Sequence, residues 1–402
     1  MKKRLAALVL FCLLLAGCSP AQTEASSPDP SQAEAIQQPN LVATLAVCGD
    51  AMSHMPQTRD AYDSQSGTYD YRPMIRFAKP WVQQADYAVV NLETTFAGGP
   101  DYAGFPSFNT PDALGEALRD AGFDLVSTAN NHCLDRGQDG LVRTLDVLDG
   151  LGLAHVGTYR SAAERAVQHG VHLADVGGIR VAFLSYTYGT NGIPVPGPGM
   201  VNLLHTDYMS DAQQIDRDGL AADFAAARAL SPDLIAVMVH WGTEYQTMPN
   251  AHQQEIADTL FSLGADLILG GHPHVPQPME TRELPNGDGT TRTGFVCWSL
   301  GNFISSQNDP YTDTTAVLQL ELTKNPNTGI TEVTDVGYIP LYMLDREQEV
   351  SGERFTLLDA HAGIRAYEAG NQQYITSATY QKLQQCVADC HKILSATWDM
   401  AA

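Results

Sequence analysis

Carboxylates, an amide and imidazoles recur at one kind of position in this chain, directly after a short apolar run. Asp50 follows the run from Leu41 to Cys48, and Glu93 follows Tyr87 to Val90. Asn131 and His132 follow Phe123 to Ser127, and His240 follows Leu234 to Val239. His272 and His274 follow Leu267 to Leu269. Carboxylate, amide and imidazole donors together suit Zn, Mn, Fe or similar ions rather than Ca, which takes oxygen ligands. In Gly271-His272-Pro273-His274 the two imidazoles stand two residues apart after a strand, a spacing that can direct both at one site. Two such ions about 3.5–4 Å apart would clamp a phosphoester and activate a bridging water. Each block alone also fits a bland role, Gly49-Asp50 as a turn and Asn91-Leu92-Glu93 as a capped strand end. Their occurrence in order, each at a strand end, points to one shared site.

The apolar runs read as buried strands. Between several of them lie helical stretches, Pro111 to Ala121, Gln138 to Leu148, Asp211 to Leu230 and Ala251 to Leu263. Strand alternating with helix implies a layered α/β fold, in which ligands bind beyond the carboxyl ends of the strands. Four further strand-like pieces, Gly178 to Ser185, Phe295 to Ser299, Thr315 to Thr323 and Thr331 to Tyr342, are expected to form a second sheet packed on the first. Residues from about Ser351 to Trp398 read as mostly helical. Trp241 and Trp298 are expected to pack beneath the motifs, and Tyr186 and Tyr188 are candidates for lining a groove.

The chain has 402 residues, 44% apolar and 17% charged, a globular composition with room for a large core. With 46 acidic against 23 basic residues the net charge is −23, which repels phosphate backbones and argues against nucleic-acid binding. The N-terminus supplies a different address. Lys2, Lys3 and Arg4 precede an apolar run, Leu5 to Leu15, that is too short to span a bilayer but suits a signal peptide. Leu15-Ala16-Gly17-Cys18 is similar to the lipobox of bacterial lipoproteins, which implies cleavage before Cys18 and lipidation of its thiol. Losing the three basic residues leaves 20 basic against 46 acidic, a mature charge of −26. Residues 19 to 40, rich in Ser, Pro, Ala, Gln and Glu, read as a flexible tether. Cys48, Cys133, Cys297, Cys386 and Cys390 are scattered and odd in number, so they form no disulfide framework.

Six blocks resemble the capsule-synthesis CapA family, the poly-γ-glutamate synthesis proteins of calcineurin-like metallophosphatase fold. They are Gly49-Asp50-Ala51-Met52, Asn91-Leu92-Glu93, Asn130-Asn131-His132 with Asp135 and Gly137, His240-Trp241-Gly242 with Glu244, Gly271-His272-Pro273-His274-Val275 with Gln277, and Ser299-Leu300-Gly301-Asn302-Phe303. The resemblance implies a four-layer α/β/β/α sandwich. It makes Asp50, Glu93, Asn131, His240, His272 and His274 metal ligands for one or two divalent ions. It makes His132 the acid beside the metal shell and Asp135 its orienting partner. Glu244 and Gln277 are candidates to support the ligands, with a plain structural hydrogen bond as the other reading. Met52 stands where metallophosphatases usually carry a histidine ligand, and Glu93 where they carry a bridging Asp.

The expected organisation is a signal peptide over 1–17, a tether over 18–40, the metallophosphatase-fold domain over 41–345 and a helical extension over 346–402. The expected protein is lipid-anchored outside the bacterial cell membrane, with the capsule or polyglutamate export machinery as its implied partner. The readings are a factor in capsule or poly-γ-glutamate synthesis, export or attachment, a metal-dependent phosphoesterase, and a non-catalytic envelope binding lipoprotein. Cys18→Ala should abolish lipid labelling and leave an uncleaved precursor on a gel. Release of that variant as an ordinary processed secreted protein would contradict the lipidation reading.

Overall fold

Alternation along single strands dictates the layers. In Leu41–Ala51, Ala43, Leu45 and Val47 face one apolar cluster while Ala46 and Cys48 face another. In Leu234–His240, Leu234, Ala236 and Met238 join the first of these clusters, and Ile235, Val237 and Val239 a third. Period-two alternation with both faces apolar is what a sheet covered on both sides requires. The computed structural model describes residues 37–210, 213–286, 289–346, 353–372 and 375–401. Cys18 and the lipobox therefore lie outside the described residues. Among the described residues no helix is long and apolar enough to cross a membrane.

The first sheet runs β16 (Phe355–Asp359), β15 (Thr331–Asp345), β14 (Thr314–Lys324), β1 (Leu41–Ala51), β4 (Tyr87–Leu92), β5 (Leu125–Ser127) and β6 (Ala154–Val156), with short β13 (Asn302–Ile304) also paired to β1. The second runs β11 (Pro276–Pro285), β12 (Thr291–Leu300), β10 (Leu267–Gly271), β9 (Leu234–His240), β8 (Ile179–Thr187) and β7 (His172–Val176). A hairpin, β2 (Tyr62–Asp63) with β3 (Thr68–Tyr69), stands apart. Helices Ala113–Ala121 and Gly137–Leu151 cover the outer face of the first sheet, and Arg217–Ala229 and Ala251–Leu263 that of the second. The central cluster, with Leu45, Val89, Phe183, Leu269, Phe295 and Leu318, joins the two inner faces. This is the four-layer α/β/β/α sandwich.

Two assignments differ from expectation. Thr315 to Thr323 and Thr331 to Tyr342 join the first sheet, the former antiparallel to β1 and the latter antiparallel to the former, while β9 and β10 belong to the second. The segment after 346 carries helices Ala360–Glu368 and Ser377–Cys390, but β16 precedes them and pairs with β15, so the segment is continuous with the first sheet. Leu383, Cys386, Cys390 and Leu394 are buried in the central cluster, and residues from Pro39 onward form one compact unit. Cys386 and Cys390 are thus core thiols, and all five described cysteines are free and buried. Trp241 and Trp298 stack at 5.4 Å beneath the site, as their positions implied.

Candidate metal centre

The parallel strands β1, β4 and β5 end on the same side, and so do β9 and β10. Asp50, near the end of β1, is fully buried. One of its oxygens accepts from Asn91 Nδ2 at 2.7 Å, and the other accepts the backbone N–H of His272 at 2.9 Å. That second bond ties the two sheets together at their ends. The approach leaves no room for side chains. A Cβ on Gly271 would meet Asp50 Oδ1 at 2.5 Å, and a Cβ on Gly49 would meet the Gly301 carbonyl oxygen at 1.9 Å. His272 and His274 themselves adopt positive φ, 96° and 60°, a conformation that costs non-glycine residues energy and occurs where the surroundings hold it in place.

Glu93, one residue past β4, is fully buried, and neither carboxylate oxygen has a hydrogen-bond partner. Around it stand imidazoles from the second sheet. His240 Nε2 lies 3.3 Å from Glu93 Oε1, and His274 Nδ1 lies 3.9 Å from Glu93 Oε2 and 3.6 Å from Asp50 Oδ2. His272 Nδ1 is buried without a partner. Asn131 Oδ1 lies 2.9 Å from His240 Nε2. Donor atoms of Glu93, His240 and His272 lie within 4.8 Å of one another, as do those of Asp50, Glu93 and His274. A buried carboxylate without donors is costly unless a cation pairs with it. The unpartnered Glu93 oxygens and His272 nitrogen, with a mixed N/O donor set, fit a divalent transition ion. Asp50, Glu93, Asn131, His240, His272 and His274 would hold it.

The electrostatics agree. Burial alone would raise the Asp50 carboxyl, but the neighbouring His274 and His240 hold it below the usual carboxylate range. Burial opposes a charge on His274, yet Glu93 and Asp50 outweigh it and push the imidazole up to about 9. Burial, with His240 and His274 beside it, drives His272 well below the ordinary imidazole value. Two carboxylates here demand positive charge, and without an ion one histidine must supply it.

His132 and Asp135 form a separate pair at the rim of the cluster. His132 Nδ1 lies 2.7 Å from Asp135 Oδ2, which also accepts the Phe108 N–H at 2.6 Å. The Phe108 ring meets the His132 ring edge-on at 4.7 Å. Burial disfavours the imidazolium, but Asp135 and Glu93 together outweigh it and raise the His132 pKa. Glu244, largely exposed, comes within 4.0 Å of His274 Nε2. Gln277 makes no contact with the cluster. It accepts from Gln253 Nε2 at 2.9 Å and donates to the Gln246 carbonyl at 2.7 Å, fixing the loop that carries Glu244.

Four contributing side chains carried no role in the sequence reading. Asn91 bridges Asp50 and His240, and Asn302 Oδ1 meets His274 Nδ1 at 3.1 Å. Asn191 reaches both Asn131 and His132. Asn130 donates to the Leu92 carbonyl and to Asn91 while accepting the His132 N–H, so it locks two strand ends together. Asn91, Asn130 and Asn302 stood inside quoted blocks, but the type alone did not say what each amide faces. Tyr188 packs on His272 with ring centroids 4.7 Å apart. Tyr186 is instead buried and donates to Asp223.

By its layers the chain is a four-layer α/β/β/α sandwich, and the donors gathered at its strand ends are compatible with a divalent metal. It belongs to the bacterial capsule synthesis protein family PGA_cap, whose match covers residues 44–307. It is 29% identical over 266 residues to the PGA biosynthesis protein CapA of Bacillus subtilis, covering 65% of this chain and 64% of that protein's length. It is 27% identical over 335 residues to the capsule biosynthesis protein CapA of Bacillus anthracis, covering 81% of this chain and 73% of the relative. A probable polyglutamine synthesis accessory protein of Mycobacterium tuberculosis is 29% identical over 205 residues, covering 48% and 51%. A phosphatase structure from Mycoplasma pneumoniae overlays with a TM-score of 0.40 at 13% identity, over 75% of this chain and 94% of that one.

Glu93 generates a prediction with opposite signs in two states. Glu93→Gln should stabilise the chelator-treated protein by about 1–3 kcal/mol in urea unfolding, because a buried charge without donors is removed. The same change should weaken Mn, Zn or Fe binding at least about tenfold, and ion addition should stabilise wild type more than the variant. A variant that is less stable without metal and binds metal as wild type would contradict the reading of this centre.

Proposed function

We propose that this chain is a lipid-anchored, extracytoplasmic accessory protein of capsule or poly-γ-glutamate synthesis, acting in polymer export or attachment through a metal-centred hydrolytic site. Family membership supports the pathway. The lipobox-like Leu15-Ala16-Gly17-Cys18 supports the anchor and makes the membrane and its polymer machinery the partners. The single observation that carries the site is Glu93, buried with both oxygens unpaired among His240, His272 and His274. A bound divalent ion would supply a nucleophilic water at neutral pH and polarise the bond under attack.

The chain's own residues do the rest. Asp135, anchored by the Phe108 N–H, sets the His132 ring so that its other nitrogen carries a proton for a leaving group. Asn191 Oδ1 accepts from Asn131 Nδ2 and its amide nitrogen stands beside the His132 ring, so it packs between the acid and the ligand. Tyr188 lies over His272 and shields one side of the cluster from water. A phosphoester is the second substrate reading, favoured by the same His132–Asp135 pair, which a purely binding protein does not need.

The roles of two neighbours separate by experiment. Asn131→Ala should lower metal content and turnover together. His132→Ala should keep its metal and lose about 10²–10⁴-fold in turnover, less for substrates with good leaving groups. Metal stoichiometry and turnover on one preparation, across leaving groups of different pKa, decide the matter. Metal loss in His132→Ala, or unchanged turnover on every hydrolysed substrate, would sink the assignment.

A further inference from the structure

A second convergence of metal-type donors lies in the C-terminal segment. His361 sits in the first turn of helix Ala360–Glu368, His391 follows helix Ser377–Cys390, and Asp399 lies in the tail beyond. His361 Nε2 and His391 Nε2 each stand 2.7 Å from the same atom, Asp399 Oδ2. The Asp399 side chain is 0% exposed, against 14% for His361 and 31% for His391. Its Oδ1 accepts the Ala401 N–H at 3.0 Å. Burial would raise this carboxyl, but the Ala401 N–H and the two imidazoles hold it below the usual range, so a charged oxygen sits at the meeting point.

The backbone departs from regular helix where it aims these groups. Residues His391–Ser395 are wound as a π turn, and Ser395 adopts φ 86°. A π turn is rare in any sequence and a positive φ is uncommon for a non-glycine residue, and both gather at functional sites. The tail is held by β15, with Met400 N–H donating to the Tyr338 carbonyl at 3.1 Å and Tyr338 Oη donating to the Ser395 carbonyl at 3.0 Å.

We propose that His361, His391 and Asp399 form a second metal site that takes one Zn²⁺ or a similar first-row divalent ion, with solvent completing the shell. Two imidazoles and a carboxylate are a common three-ligand set for zinc, and N/O donors also suit Co, Ni and Cu. Tetrahedral bonds of about 2.0–2.1 Å put donor pairs about 3.3 Å apart. Each histidine then opens by about 0.6 Å from its present contact, a small side-chain rotation. Binding needs each Nε2 free of its proton: a proton facing Asp399 is either released to solvent or moved to Nδ1, and the ligating ring is the neutral one with its single proton on Nδ1. The exposed edge of His391 gives the ion an entry path and a place for water. Bound there, the ion staples the tail to both C-terminal helices.

The test uses the full chain, stripped with chelator and titrated with Zn²⁺ and with Co²⁺. His272→Ala with His274→Ala removes ligands of the strand-end cluster, so the two sites read separately. In that background one equivalent of Co²⁺ should remain, with visible absorption of a low-coordinate N/O site, and adding His391→Ala should abolish it. If the background does not fold, His391→Ala alone should bind one equivalent fewer than wild type, or bind its last equivalent at least about tenfold more weakly. Unchanged stoichiometry and affinity in folded His391→Ala would overturn the proposal, whatever the strand-end cluster binds.

Discussion

A buried negative charge with nothing to neutralise it is the constraint around which the strand ends are arranged. Glu93 has no exposure and no hydrogen-bond donor, and Asp50 stands beside it, also buried. A carboxylate in such a place is not tolerated without a positive partner. The three imidazoles on the opposite sheet ends stand beside it and provide an answer, as a proton on His274 or as ligands to a cation. The rest of the sandwich brings two sets of parallel strand ends close enough for these groups to meet.

That approach depends on small backbone details. Asp50 accepts an N–H from the other sheet, so its side chain is a structural clamp as well as a donor. Glycines at 49 and 271 let the chains pass where any Cβ would collide. The amides of Asn91, Asn130, Asn191 and Asn302 then fix the donors without adding charge. Across the rim, the His132–Asp135 pair sits close enough to sense Glu93 electrostatically while keeping its own anchor. The strand-end donors and the His132–Asp135 pair are thereby different side chains held on one scaffold.

Much of this was legible in the sequence. Apolar runs ending in polar residues located the strand ends, and the six side chains singled out there come together. The pairing of His132 with Asp135 was equally visible in Asn130-Asn131-His132 with Asp135. Sheet membership was not legible, because the period of an apolar strand says which residues share a face and not which neighbour the strand takes. Antiparallel return of β14 along β1 decided it, a long-range pairing of residues 41–47 with 318–324. Short β16 was hidden by the helical segments that follow it. Gln277 stood in a motif yet serves the neighbouring loop, since an amide's role is set by what it faces after folding. The His361, His391 and Asp399 cluster left no trace as a motif, because its members come from three separated turns.

The most direct test of the central claim is a crystal structure of protein purified without chelator, with anomalous diffraction recorded at the Mn, Fe and Zn absorption edges. The account predicts an anomalous peak bonded to Glu93 and flanked by His240, His272 and His274, at about 2.0–2.3 Å from its ligands. No anomalous density among those side chains, in crystals soaked with each of the three ions, would contradict it.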